Sequence, residues 1–176
     1  SETRAELIDP ALAAAGWNSI EDALVRREFP ITDGRIQIGG RRGKQLIADY
    51  VLIYRGCRLA VVEAKKTTVD AEKGQQQAKL YADCLEEMFG QRPLIFFTNG
   101  YKTRFWDDRT YPPRQVSGYY KKDELARLVL RRSQGKKLET VPVNKDIVER
   151  YYAWRAIGNI SDQFTKARRK ALLVMA

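Results

Sequence analysis

The chain's 176 residues are enough for one domain with a proper core and room for an appendage. Thirty-two Lys and Arg against 22 Asp and Glu give a net charge of +10, which favours a polyanionic partner, nucleic acid before membrane, although charge alone does not separate this from a merely soluble basic protein. Histidine is absent, which excludes Ser-His-Asp and Cys-His nucleophilic sites and any nuclease that uses imidazole as its base.

Two cysteines, Cys57 and Cys84, are too few for a structural zinc site. No apolar run approaches the ~20 residues of a membrane span, and the opening SETRAELIDP lacks a signal-peptide core. A reduced, cytoplasmic chain is the expectation.

In chain order, residues 2–15 read as a helix carrying Leu7, Ile8 and Leu12, stopped by Gly16 and kinked or restarted at Pro10. Trp17 is expected to pack beneath it. Short strands are predicted over 28–31 and 35–38, joined by an Asp33-Gly34 turn. Residues 39–44, GGRRGK, form a basic glycine-rich loop without the Ser or Thr that a Walker loop needs after its lysine; a solvated turn is the favoured reading.

Residues 46–66, LIADYVLIYRGCRLAVVEAKK, read as two apolar strands folded about Arg55-Gly56-Cys57, with charged groups where a core hairpin should carry none. Alternation puts Asp49, Val51 and Ile53 on one face, and Leu59, Val61, Glu63 and Lys65 on one face of the second strand. With Gly56 as the pivot, Asp49 lies directly opposite Glu63, at a Cβ separation of about 5 Å. Carboxylates that close repel unless a divalent cation sits between them, and Lys65 places an ammonium beside the pair.

A helix follows to about residue 89, with Ala78, Tyr81, Leu85 and Met88 inward and Gln77 stacked one turn from Tyr81. Residues 93–98 form an apolar strand. A type I′ turn at Asn99-Gly100 leads into a return strand over 101–106. A loop at 111–113, a strand over 117–120 and a helix over 123–132 with Leu125, Leu128 and Val129 inward complete the domain, and 133–137 read as a linker. Beyond it, Asn144 is expected to cap a helix bearing Ile147, Val148, Tyr151 and Tyr152, and 171–175, ALLVM, to form a short buried strand at the cut edge of a larger protein.

Phosphodiester hydrolysis needs an activated water, neutralised phosphoryl charge and a stabilised leaving oxygen. Asp49 and Glu63 suit Mg²⁺, with the Ala64 carbonyl as a further oxygen, and Lys65 suits the attacking water or the pentavalent phosphate. A bare acid followed by Glu-x-Lys matches often by chance; its place in two strands of matched register, with Gln77 and Tyr81 behind it, is what gives it weight. The bland alternative is an edge hairpin in which Lys65 merely pairs with Glu63.

Asp49, Glu63-Ala64-Lys65 and Gln77-x-x-x-Tyr81, in this order, resemble the PD-(D/E)xK nuclease core, in particular the N-terminal nuclease domain of the restriction (R) subunit of type I restriction enzymes. The opening Thr3-Arg4, Ile8-Asp9-Pro10 and Gly16-Trp17 fits as well, as does Thr98-Asn99-Gly100 before a Trp-containing strand. The C-terminal stretch, with Glu149-Arg150-Tyr151-Tyr152 and the residues from Arg169 to Ala176, resembles the lead-in to a motor domain's ATP-binding loop. Ala153 stands where such motors often carry an adenine-reading Gln, so no nucleotide contact is assigned.

The resemblance implies an α/β fold with a mixed central sheet flanked by helices, a nuclease domain over 1–132, a linker over 133–143 and the start of a helicase/translocase motor over 144–176. It implies a Mg²⁺-dependent endonuclease cutting duplex DNA during ATP-driven translocation. Asp49 and Glu63 would hold the metal, Lys65 would serve the water, and Gln77 and Tyr81 would brace the site. The implied partners are DNA, the methylation and specificity subunits and the chain's own motor. The family's name-giving proline is replaced by Ile47-Ala48 ahead of Asp49, and Glu2 and Glu6 compete as the first-helix glutamate that often completes the metal site. Rival readings are a non-catalytic DNA-binding or motor-docking module and a stand-alone repair nuclease or resolvase of the same fold.

Overall fold

The computed structural model describes residues 2–18, 22–32, 46–134, 138–166, 168 and 170–174. The expected strand at 35–38, the Asp33-Gly34 turn and the GGRRGK loop lie outside them. The chain divides into two compact units, Ser1–Leu130 and Arg131–Ala176.

In the first unit six strands form one sheet in the order β1-β2-β3-β4-β5-β6: Ala23–Thr32, Leu46–Tyr54, Cys57–Ala64, Leu94–Thr98, Thr103–Trp106 and Arg114–Val116. β3 and β4 run parallel, and every other neighbouring pair is antiparallel. The parallel step requires a crossover, supplied by helix α2 (Gln75–Phe89) after a 3₁₀ turn at Ala71–Gly74. The central strands β2, β3 and β4 bury both faces, so their sequences run nearly continuously apolar. One face packs Val51, Val61, Ile95 and Phe97 against Ala78, Tyr81, Ala82 and Leu85 of α2. The other packs Tyr50, Leu52, Val62 and Phe96 against Ile8 and Leu12 of the first helix, Trp17, and Leu125 of α3 (Lys122–Gln134).

The first helix opens with a π-helical turn, Arg4–Ile8, and becomes α-helical over Asp9–Ala14 (α1), with Pro10 in its first turn, where no amide donor is needed. Three contacts seat it. Trp17 donates from Nε1 to the Tyr120 carbonyl at 3.0 Å. Tyr50 donates to Asp9 Oδ1 at 3.0 Å, and Arg27 pairs with Asp9 at 2.8 Å. Burial and the Asp9 carboxylate push the Tyr50 hydroxyl far above its ordinary range, so it stays a donor.

Several expectations are corrected. The β2–β3 turn is the two-residue pair Arg55-Gly56, with φ of +49° and +76°, rather than a pivot on Gly56 alone. Tyr54 therefore faces Cys57, and a bulge leaves Leu59 unpaired before Tyr50 meets Val62. The bulge restores the expected register beyond it but puts Leu59 in the core with Tyr50 and Leu52 instead of beside Val61. Met88 is 49% exposed, because the buried stripe of α2 closes with Leu85.

The turn after β4 spans residues 99–102, with Asn99 N–H bonded to the Lys102 carbonyl and positive φ at Gly100 alone, so it is not type I′. The strand expected over 117–120 sits instead at Arg114–Val116. In the second unit, helix α4 (Tyr151–Thr165) starts at Tyr151. Asn144 caps a separate turn, accepting from Asp146 N–H at 2.9 Å, so Ile147 and Val148 precede the helix. Residues 171–174 form no strand, and Leu172 is 90% exposed. Among the described residues no helix is long and apolar enough to cross a membrane.

Gly100 is where the β4–β5 turn meets the first helix. A Cβ there would lie 2.6 Å from Leu7 Cδ1, on a backbone at φ +90°. Gly100→Ala is therefore expected to destabilise the domain by roughly 2 kcal/mol or more in urea unfolding, whereas Gly118→Ala should stay within about 0.5 kcal/mol. Gly118 has open space around it.

Candidate active site at a fork in the sheet

The β2–β3 ladder stops at Tyr50–Val62. Beyond that pair β2 stays with β1 through Ala48 and Ile47, while β3 stays with β4 through Glu63 and Ala64. The two strands part, and Asp49 and Glu63 stand on either side of the gap. The next donor in line, Ala64 N–H, bonds to Asp49 Oδ2 at 2.7 Å, so a side chain takes the place of a ladder carbonyl. In an extended strand a residue's N–H and C=O project to the same edge, so the Ala64 carbonyl is also turned toward Asp49.

Glu63 is 2% exposed. Lys65 donates to Glu63 Oε1 at 2.7 Å and to Gln77 Oε1 at 2.7 Å, and Gln77 passes the chain on to the Tyr81 hydroxyl. Glu63 Oε2 is buried without a hydrogen-bond partner. Burial, opposed by the Lys65 ammonium and reinforced by the neighbouring Asp49 carboxylate, raises the Glu63 carboxyl to about 7. Burial likewise raises the Tyr81 phenol, with both carboxylates adding to the effect. Gly74 leaves room for all this: a Cβ there would lie 3.0 Å from Glu63 Cγ and 3.6 Å from Lys65 Cε.

Asp49, Glu63, Lys65, Gln77 and Tyr81 are thus brought together. Glu2 and Glu6 are exposed, and among the described residues no group of three or more His, Cys, Asp or Glu gathers into a metal-binding cluster. Residue patterns missed Arg4, which donates to Asp49 Oδ1 from the first helix, and Glu28, which holds Arg4 at 3.1 Å. They also missed Gly74 and the Asn99 amide, which ties down the Val69 carbonyl at 2.9 Å.

A solvent-excluded carboxylate oxygen with no donor is what a metal ion would satisfy. Two carboxylates and one carbonyl match Mg²⁺, which keeps several waters, better than an all-protein cage.

A family model described as the N terminus of the type I restriction enzyme R protein matches residues 1–114. The chain belongs to this family. An Escherichia coli relative, the type I restriction enzyme EcoAI endonuclease subunit, is 36% identical over 95 residues, covering 52% of this chain and 11% of the relative. A solved fragment of an inferred HsdR subunit of a type I restriction enzyme from Vibrio vulnificus YJ016 matches with a TM-score of 0.64 at 29% identity, over 93% of this chain and 32% of that one. The chain therefore spans well under half the length of each relative. The R-subunit resemblance and the restriction-endonuclease-like α/β fold both stand.

A carboxyl raised by folding holds its proton more tightly folded than unfolded. Its contribution to stability is complete below about 4.5 and is lost as pH rises through about 7. With divalent ions chelated, unfolding free energy should fall across that window by up to about 3 kcal/mol more in the wild type than in Glu63→Gln. Urea titrations of both proteins at several pH values check this, and identical slopes would refute the buried, raised carboxyl.

Proposed function

We propose that this chain is the DNA-cutting part of a type I restriction R subunit, a Mg²⁺-dependent endonuclease acting on duplex DNA in the cytoplasm. The nuclease domain would span residues 1–132 and a linker residues 133–143. Residues 144–176 would begin a motor that translocates DNA at the expense of ATP, with methylation and specificity subunits choosing the target. The observation that carries this reading is the convergence of Asp49 and Glu63 at the fork, one oxygen of Glu63 buried and undonated, with Lys65 alongside.

Asp49, Glu63 and the Ala64 carbonyl would hold the ion. A bound divalent cation supplies charge neutralisation at the phosphate and an acidified water. Lys65 carries three donors, of which Glu63 and Gln77 take two, so one remains to orient the attacking water or meet the phosphoryl oxygen. Tyr81 and Gln77 keep that ammonium from swinging away, and the α2 packing excludes water behind it. The surplus of +10 favours capture of the DNA backbone.

In the assembled restriction complex, Asp49→Ala, Glu63→Ala and Lys65→Ala should each lower DNA cleavage by about 10³-fold or more while ATP hydrolysis continues. Gel assays of cleavage beside phosphate release make the comparison. Cleavage surviving in all three variants would end the proposal.

A further inference from the structure

Two charged side chains at the fork have no part in that reading. Arg27 faces Tyr50 and Phe29 faces Ala48 across β1 and β2, so Glu28 occupies the position opposite Asp49. Glu28 takes φ of +49°, a left-handed conformation that a strand glutamate keeps only where its surroundings hold it. Arg4 bridges the two acids, donating from Nη1 to Glu28 at 3.1 Å and from Nη2 to Asp49 Oδ1. The Glu28 side chain is 72% exposed and that of Asp49 14%. The helix that carries Arg4 is anchored through Asp9 to Tyr50 and Arg27, so the guanidinium is delivered to the fork by a fixed element.

Both oxygens of Asp49 are engaged, Oδ2 by the Ala64 amide and Oδ1 by Arg4. The amide cannot leave without moving the strand. The guanidinium can, because its other nitrogen already has a second acceptor in Glu28. We infer that Arg4 competes with the divalent ion for Asp49 Oδ1, and that Glu28 is the seat to which it withdraws when the ion binds. The pair thereby sets how tightly the site holds its metal. This rests on the nuclease reading but assigns two residues that the reading leaves idle. A planar fork with separate nitrogens serves the purpose, one nitrogen staying on Glu28 as the other leaves Asp49.

Mn²⁺ titration of the chain by calorimetry tests this without any cleavage assay. Arg4→Gln should tighten Mn²⁺ binding about tenfold, the scale of a lost charge-assisted hydrogen bond. Glu28→Gln, an exposed change that leaves the core untouched, should weaken it roughly two- to fivefold, because Arg4 then has no alternative partner. In an Arg4→Gln background the Glu28→Gln effect should vanish. Unchanged or weaker binding in Arg4→Gln overturns the inference, as does a Glu28→Gln effect that persists without Arg4, which would mean simple attraction through space. Wild-type Mn²⁺ binding that is absent, or that survives Asp49→Asn, strikes the nuclease reading itself and takes this inference with it.

Discussion

The structure is organised around the burial of one carboxylate. Glu63 is almost wholly removed from water, and an ionised group in that position costs several kcal/mol unless it is paired and hydrogen-bonded. One of its oxygens has Lys65, and the other has nothing from the protein. A fold tuned only for stability would place a leucine there. That the strand instead carries Glu63 between Val62 and Ala64, in the middle of an apolar run, argues that the cost is borne for chemistry.

The surrounding architecture serves to keep that carboxylate in company. The sheet forks because the β2–β3 ladder ends at Tyr50–Val62 while β2 stays with β1 and β3 with β4. Gly74 permits the helix to approach the fork closely, and Gln77 and Tyr81 then lie on the helix face that meets Lys65. The turn at Asn99-Gly100 holds both the Val69 carbonyl and the first helix, whose Leu7 lies against Gly100. Each of these limits where a side chain at the fork can go.

What the residue pattern revealed follows from what has short-range periodicity. Asp49, Glu63 and Lys65 were legible because strand alternation and a tight turn constrain them, and Gln77 and Tyr81 because helical spacing stacks them. The Gly56 pivot was the wrong turn, yet the bulge at Leu59 compensated for it, so the expected register holds from Leu52–Ala60 to the last pair, Tyr50–Val62. Asp49 and Glu63 lie beyond it, where the strands have parted, rather than directly opposite each other in the ladder. Arg4 was noted only in the resemblance, and its contact with Asp49 was invisible for a physical reason: the two meet from elements 45 residues apart, and no local rule pairs them. Glu28 was read as part of an ordinary strand, since positive φ at a glutamate has no sequence signal. Of the strand expected over 171–175, residues 171–174 form none, and Asn144 caps a turn rather than the expected helix, because apolar runs and capping residues announce an element without supplying the neighbours that stabilise it.

The two cations of the site are not interchangeable, and the difference explains their placement. Lys65 is a compact charge on a flexible stem, able to touch Glu63 and Gln77 while keeping a donor in reserve, which suits the role proposed for it. Arg4 is a rigid fork whose separate nitrogens reach acids on two neighbouring strands at once. Exchanging them would preserve the net charge and alter the contacts of both: an arginine at 65 would have to fit a wide plane beside Gly74, and a lysine at 4 would bring one nitrogen where the guanidinium brings two. The geometry of the charge, more than its amount, decides what the fork can do.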